Sequence, residues 1–182
     1  MYTMHALILF LLTAFVFSNI AVEWLNRRRL SWKTEPLSSY LADVPYAWIQ
    51  DVGYFLLAAV FFILSFTSQN GFVWMLFLGT GVAVILVVLT KYYVDDPTHS
   101  ISARQDAQHV HVICAGIAYI CMTLALLIET WPLGGIARDA ALAAPATAFL
   151  FYRFAPSQTA LEEKAVTACL MVSLYAWVQH VS

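Results

Sequence analysis

Charge is what this chain has least of. Charged side chains make up 11% of its 182 residues, while 62% are hydrophobic; a soluble domain carries about a quarter charged. So small a polar supply cannot cover a water-soluble surface, and the mean hydropathy of +0.75 makes lipid the natural solvent for most of the chain. Nine lysines and arginines stand against eleven aspartates and glutamates. That balance supplies no basic face and argues against a nucleic-acid partner. Cysteine is scarce as well. Cys114, Cys121 and Cys169 all lie inside apolar segments, so a disulfide framework is not expected and the thiols read as small packing residues.

What is present in quantity is apolar sequence of membrane-crossing length. About 20 such residues span the hydrocarbon core as a helix. Six stretches qualify, at 5–24, 45–66, 72–92, 103–130, 136–154 and 159–181. Backbone amides in lipid must bond within their own segment, and no barrel-like alternation occurs, so the expectation is an all-α, polytopic bundle of six transmembrane helices. It forms a single membrane domain over residues 1–182. The first stretch lacks a basic start and a small-residue cleavage site, so it reads as a retained helix and not as a signal peptide.

The breaks have local causes. Gln69-Asn70-Gly71 is a turn signal, and Pro132 with Gly134-Gly135 separates the fourth helix from the fifth. Asp43 before Pro45 suits the start of the second helix, Ser102 with Gln105 a cap on the fourth, and Thr159 with Glu162 a cap on the sixth. Asp96 before Pro97 ends the third. Ala140, Ala144 and Ala148, beside Ala137 and Ala141, let the fifth helix approach a neighbour closely, and Pro145 should bend it. Trp24, Trp48, Trp74, Trp131 and Trp177 fall near helix ends, where interfacial anchors sit.

Orientation follows from the cations. Six crossings put Arg27, Arg28, Arg29, Lys33, Lys91, Arg104, Arg153 and Lys164 at one face and only Arg138 at the other. The positive-inside tendency then makes loops 25–44 and 93–102 cytoplasmic. It places the protein in the inner membrane as a multi-pass chain with both termini outside, periplasmic or extracellular. Arg27–Arg29 and Lys33 would lie against anionic headgroups. Glu23 and Arg27 are four apart in the order that favours a helical ion pair.

Polar chemistry concentrates in DDPTHSISARQDAQHVH, residues 95–111. Asp106 and His109 share a helical face, whereas His111 is turned by roughly 200° from His109 and shares a stripe with Cys114 and Cys121. Asp95, Asp96, His99, Asp106 and His109 are the residues here that could converge on a divalent metal such as zinc. A second constellation is PLSSYLADVPYAWIQD, residues 36–51. Asp51 lies about 9 Å past Pro45 along the helix. A carboxylate at that depth is a functional hypothesis by default. His109 or His111 is its expected partner.

Two functional readings follow. In the first, a pocket at the cytoplasmic face, with Ser38, Ser39, Asp43 and His111 among its ligand-binding residues, binds a lipid headgroup, an ion or a partner membrane subunit. The protein would then have an accessory, sensing or transport role. In the second, the chain is a metal-assisted hydrolase of a lipid or other amphiphile. Asp51 or Asp106 acts as general base, and Asp95, Asp96, His99 and His109 supply the metal ligands. This resembles the intramembrane zinc hydrolases in residue types only, since their HxxxH pair is absent. A third reading, a haem-binding electron-transfer bundle, would draw on His5 and His180. Glu129 lies at their height.

The segment SSYLADVPYAWIQDVGYFLLAAVFF, followed two helices later by a polar loop and HVHVICAGIAY, resembles a family of bacterial polytopic membrane proteins grouped as a domain of unknown function, number 998. The matching residues are Ser38, Ser39, Leu41, Gly53, His109 and Gly116. The resemblance implies about six crossings and a functional association of the two polar loops. It implies no particular activity.

Overall fold

The computed structural model describes residues 2–27, 45–95, 100–155 and 159–180, with backbone alone at 2, 92–95 and 159. Six helices follow one another among these residues: α1 (Tyr2–Leu25), α2 (Ala47–Thr67), α3 (Gly71–Asp95), α4 (Ile101–Thr130), α5 (Gly135–Phe154) and α6 (Thr159–His180). Each apolar stretch became one helix. Helices α1 to α4 are long and apolar enough to cross a membrane. α5 and α6 have similar lengths, but α5 carries Arg138, Asp139 and Arg153, and α6 carries Glu162, Glu163 and Lys164.

The helix ends show which local signals operated. Asn70 caps α3, its Oδ1 accepting from Phe72 N at 3.0 Å and Val73 N at 3.4 Å. Gly134 and Gly135 take positive φ of 68° and 64° in the turn before α5, which glycine adopts without Cβ strain. Two expectations are corrected. The cap of α4 is Ser100, whose Oγ accepts from Ala103 N at 3.2 Å, and Ser102 lies inside the helix. Two serines at this spacing compete, and the extended backbone that a cap requires is found at Ser100 (ψ 155°). Likewise α2 starts at Ala47 and not at Pro45, because Tyr46 adopts a left-handed conformation at φ 69°. Asp43 and the side chain of Thr159 lie outside the described residues.

Consecutive helices pack as neighbours, and α6 returns to touch α1 and α4, closing the bundle. Leu12, Phe61, Phe77, Leu126, Leu170 and Leu174 are fully buried along the interior. Phe77 stacks between Phe61 and Trp177, at 6.1 Å and 5.8 Å between ring centroids. Large apolar side chains also point outward, among them Phe10, Phe17, Phe66, Ile113 and Phe149. Outward rings distributed over several helices are an exposed apolar surface that water would penalise and acyl chains accept. The chain is a helical membrane protein.

Close approaches use the small residues. A Cβ on Gly53 would lie 1.8 Å from Ser18 Oγ, so the contact between α1 and α2 depends on that missing carbon. Ala137, Ala141 and Ala144 are buried on α5, and Ser173 Oγ of α6 donates to the Ala137 carbonyl at 2.7 Å. The helix continues through Pro145. Trp24, Trp48, Trp74 and Trp131 are exposed at helix ends, but Trp177 is buried in the core, which corrects its reading as an anchor.

Candidate functional site

The alternating helices gather two sets of termini. One end holds the finish of α1, α3 and α5 and the start of α2, α4 and α6. It is called the basic end below. Polar side chains enter the bundle interior there.

Asn19 and Gln50 join α1 to α2. Gln50 Nε2 donates to Asn19 Oδ1 at 2.6 Å with the glutamine fully buried. Asn26 Nδ2 donates to the Pro45 carbonyl at 2.7 Å, tying the end of α1 to the chain entering α2. One residue beyond Gln50, Asp51 turns to α3 and meets Lys91, with Oδ1 and Nζ 3.5 Å apart. The two residues are only 5% and 6% exposed. These values place an ion pair inside the bundle and not at its rim. Such a pair adds little stability relative to apolar side chains of the same volume, whereas loss of one partner strands the other charge.

His111 reaches the same turn of α3 from the opposite neighbour. Its Nδ1 lies 3.1 Å from the Val87 carbonyl and 3.3 Å from Thr90 Oγ1. The expected partnership of Asp51 with His109 or His111 is therefore corrected. Helix α3 stands between α2 and α4, so the aspartate and the histidine both dock on α3, at Lys91 and at Val87–Thr90. Lys91 was visible in the sequence only as a cation near a helix end, where it served as a sign of orientation. Its inward direction depends on the rotation of α3 in the bundle.

The remaining predicted residues divide by location. His109 is exposed and His111 buried, as their angular separation requires, and Cys114 is buried on the His111 stripe. Asp106 is exposed. Ser38, Ser39, Asp43, Asp96 and His99 lie outside the described residues, as does the side chain of Asp95. Among the described residues no three His, Cys, Asp or Glu side chains are grouped to hold a metal ion. The two histidines considered for haem differ in setting: His180 is exposed, and His5 borders a cavity at the far end of the bundle.

A second ion pair crosses from α1 to α6. Lys164 Nζ lies 3.0 Å from Glu23 Oε1, and Arg27, the expected partner of Glu23, places its guanidinium 4.8 Å over the Trp24 ring. Deeper than these pairs, toward the middle of the bundle, the interior opens into a cavity of about 50 Å³, room for one or a few small groups. Its wall is mostly apolar, with polar groups supplied by Tyr54, Thr80, Tyr119, Glu163 and Thr167. The Tyr119 and Thr167 hydroxyls are 2.7 Å apart. Glu163, Tyr119 and Asp51 all lie within electrostatic reach of the Tyr54 hydroxyl. Tyr54 is one helical turn from Asp51, and Val87, also in the wall, is one turn from Lys91. The buried pair thus lies about one helical turn from a mostly apolar cavity near the middle of the bundle, and pair and cavity together are the compartment of this half. Tyr54, Tyr119 and Glu163 went unremarked in the sequence. The usable signal was Glu163 within a capped apolar stretch.

A family of described proteins covers nearly all of this chain: the description is "Protein of unknown function (DUF998)", matched over residues 8–180. No curated protein and no solved structure matches.

Proposed function

The chain belongs to the family of unknown function DUF998, which passes on no activity, and we propose that it is a non-catalytic membrane protein that binds the charged headgroup of a lipid, or an ion, in the compartment at the basic end. The role would be accessory, sensing or transport. The observation that carries this reading is the Asp51–Lys91 pair, buried at 3.5 Å beside the cavity. Packing does not account for such a pair, because apolar residues would serve stability as well. A guest does account for it. A headgroup or ion that reaches the pair exchanges its own charge for one partner, so neither carboxylate nor ammonium is left uncompensated. Tyr54, Tyr119 and Glu163 supply further donors and acceptors along the cavity wall. In this reading the site shifts from the outward-facing Asp106 and His109 to the interior, and His111 acts by holding α4 on α3.

The full topology belongs to the same proposal: six crossings in the inner membrane, with the basic end cytoplasmic and both termini outside. Eight of the nine cations fall on that side.

Native mass spectrometry of the protein released from lipid nanodiscs tests the binding role. Wild type should retain about one lipid or ion per chain, and the folded double variant Asp51→Asn/Lys91→Met should lose it. Equal retention by the two proteins would refute the proposal.

A further inference from the structure

At the end opposite Lys91 the bundle contains a second, larger cavity of about 650 Å³. Its volume lies within the range of sites for small organic ligands. Four separate parts of the chain contribute to it: the start of α1, the turn between α2 and α3, the end of α4 and the end of α6. His5, Glu129 and Trp177 border it, with Ile8, Leu64 and Val178 forming an apolar side.

The polar side has a definite character. Glu129 lines the cavity together with Ser68. Asn70, whose Oδ1 is committed to the cap of α3, also borders the cavity. His5 has its Nδ1 buried without a hydrogen-bond partner among the described residues. Among the described residues the lining contains one carboxylate and no lysine or arginine. Such a wall repels an anion and leaves a cation's charge compensated. Water alone would hydrate the polar side and leave the apolar side poorly solvated, whereas an amphiphile satisfies both.

We propose that this cavity is a binding site for a small amphiphilic amine. Its ammonium is held by Glu129, and its alkyl part lies along Ile8, Leu64 and Val178. The site is separate from the compartment at the basic end and does not depend on it.

The test uses the full-length protein in phosphatidylcholine nanodiscs, titrated with octylamine, octanol and octanoate and followed by tryptophan fluorescence. Octylamine should bind saturably and on the order of tenfold more tightly than octanoate, and Glu129→Gln should abolish that preference. Trp177→Phe should remove most of the fluorescence change without removing the preference, which calorimetry then reports. Equal binding of the three probes, no saturable binding, or an unchanged preference in folded Glu129→Gln would overturn the proposal. A nanodisc series containing phosphatidylethanolamine distinguishes the sources of the amine. Competition with octylamine assigns the site to an aminolipid headgroup, and its absence assigns it to a soluble amine. Asp51→Asn/Lys91→Met should leave every arm unchanged.

Discussion

Asp51 and Lys91 are the residues on which the most direct prediction rests. Each is desolvated by the bundle, and each compensates the other at 3.5 Å. Asp51→Asn or Lys91→Met alone strands a charge and should cost about 3–5 kcal/mol. The double variant should recover most of that loss. A double-mutant cycle on unfolding in detergent measures the coupling, and additive losses would show that the two side chains do not compensate one another. Gly53 makes a similarly local case. Its Cβ would meet Ser18 Oγ at 1.8 Å, while a Cβ on Gly116 meets nothing within 4 Å. Gly53→Ala should destabilise by about 1–3 kcal/mol through overpacking. Gly116→Ala should be tolerated, and thermal unfolding of the two purified variants separates them. Asp51 was legible in the sequence because a carboxylate inside an apolar stretch stands out. Its partner was not, because a lysine four residues from a helix end looks the same whether it faces lipid headgroups or an aspartate.

At the scale of the helix, ends and faces are decided by different forces. Ends are local, since a cap forms within four residues. Ser100 Oγ accepts from Ala103 N, so Ser100→Ala should weaken the first turn of α4 by about 1 kcal/mol. Ser102→Ala should leave that turn nearly unchanged. Hydrogen exchange at the Ala103 and Arg104 amides reads this, and equal protection in both variants would contradict the assignment. The sequence pointed two residues too far along because Ser102 has a glutamine three residues on, Gln105, whereas Ser100 has Ala103 there and caps through a backbone amide alone. Faces obey the helical period where one residue is compared with another on the same helix. His109 and His111 were expected about 200° apart, and one is exposed and the other buried. The period does not say which neighbouring helix a face meets. His111 therefore turned out to bond Val87 and Thr90 of α3, and not Asp51.

For the whole molecule, the open question is which end faces the cytoplasm. With the basic end inside, a cysteine at Gln69, exposed at the far end, should react with a membrane-impermeant maleimide on intact cells. A cysteine at Ser100 should react only after permeabilisation. Both are best placed in a background lacking Cys114, Cys121 and Cys169. The reverse pattern would invert the orientation, and with it the side from which each cavity is reached. One cavity lies near the middle of the bundle and the other at its far end, with no lining residue in common, so each is tested without disturbing the other.

Sequence alone determined that the chain is helical, apolar over each helix, and divided by turns close to where the turns are found. Those properties follow from hydrophobicity summed over about 20 residues and from backbone amides that must bond within their own segment. Tertiary structure decided the rest: that Lys91 faces Asp51, that Trp177 is a core residue, and that His5 and Glu129, 124 positions apart in the chain, border one cavity. These depend on which helices become neighbours and how each is rotated. Both are set by packing over the whole bundle, and no short window of residues contains that information.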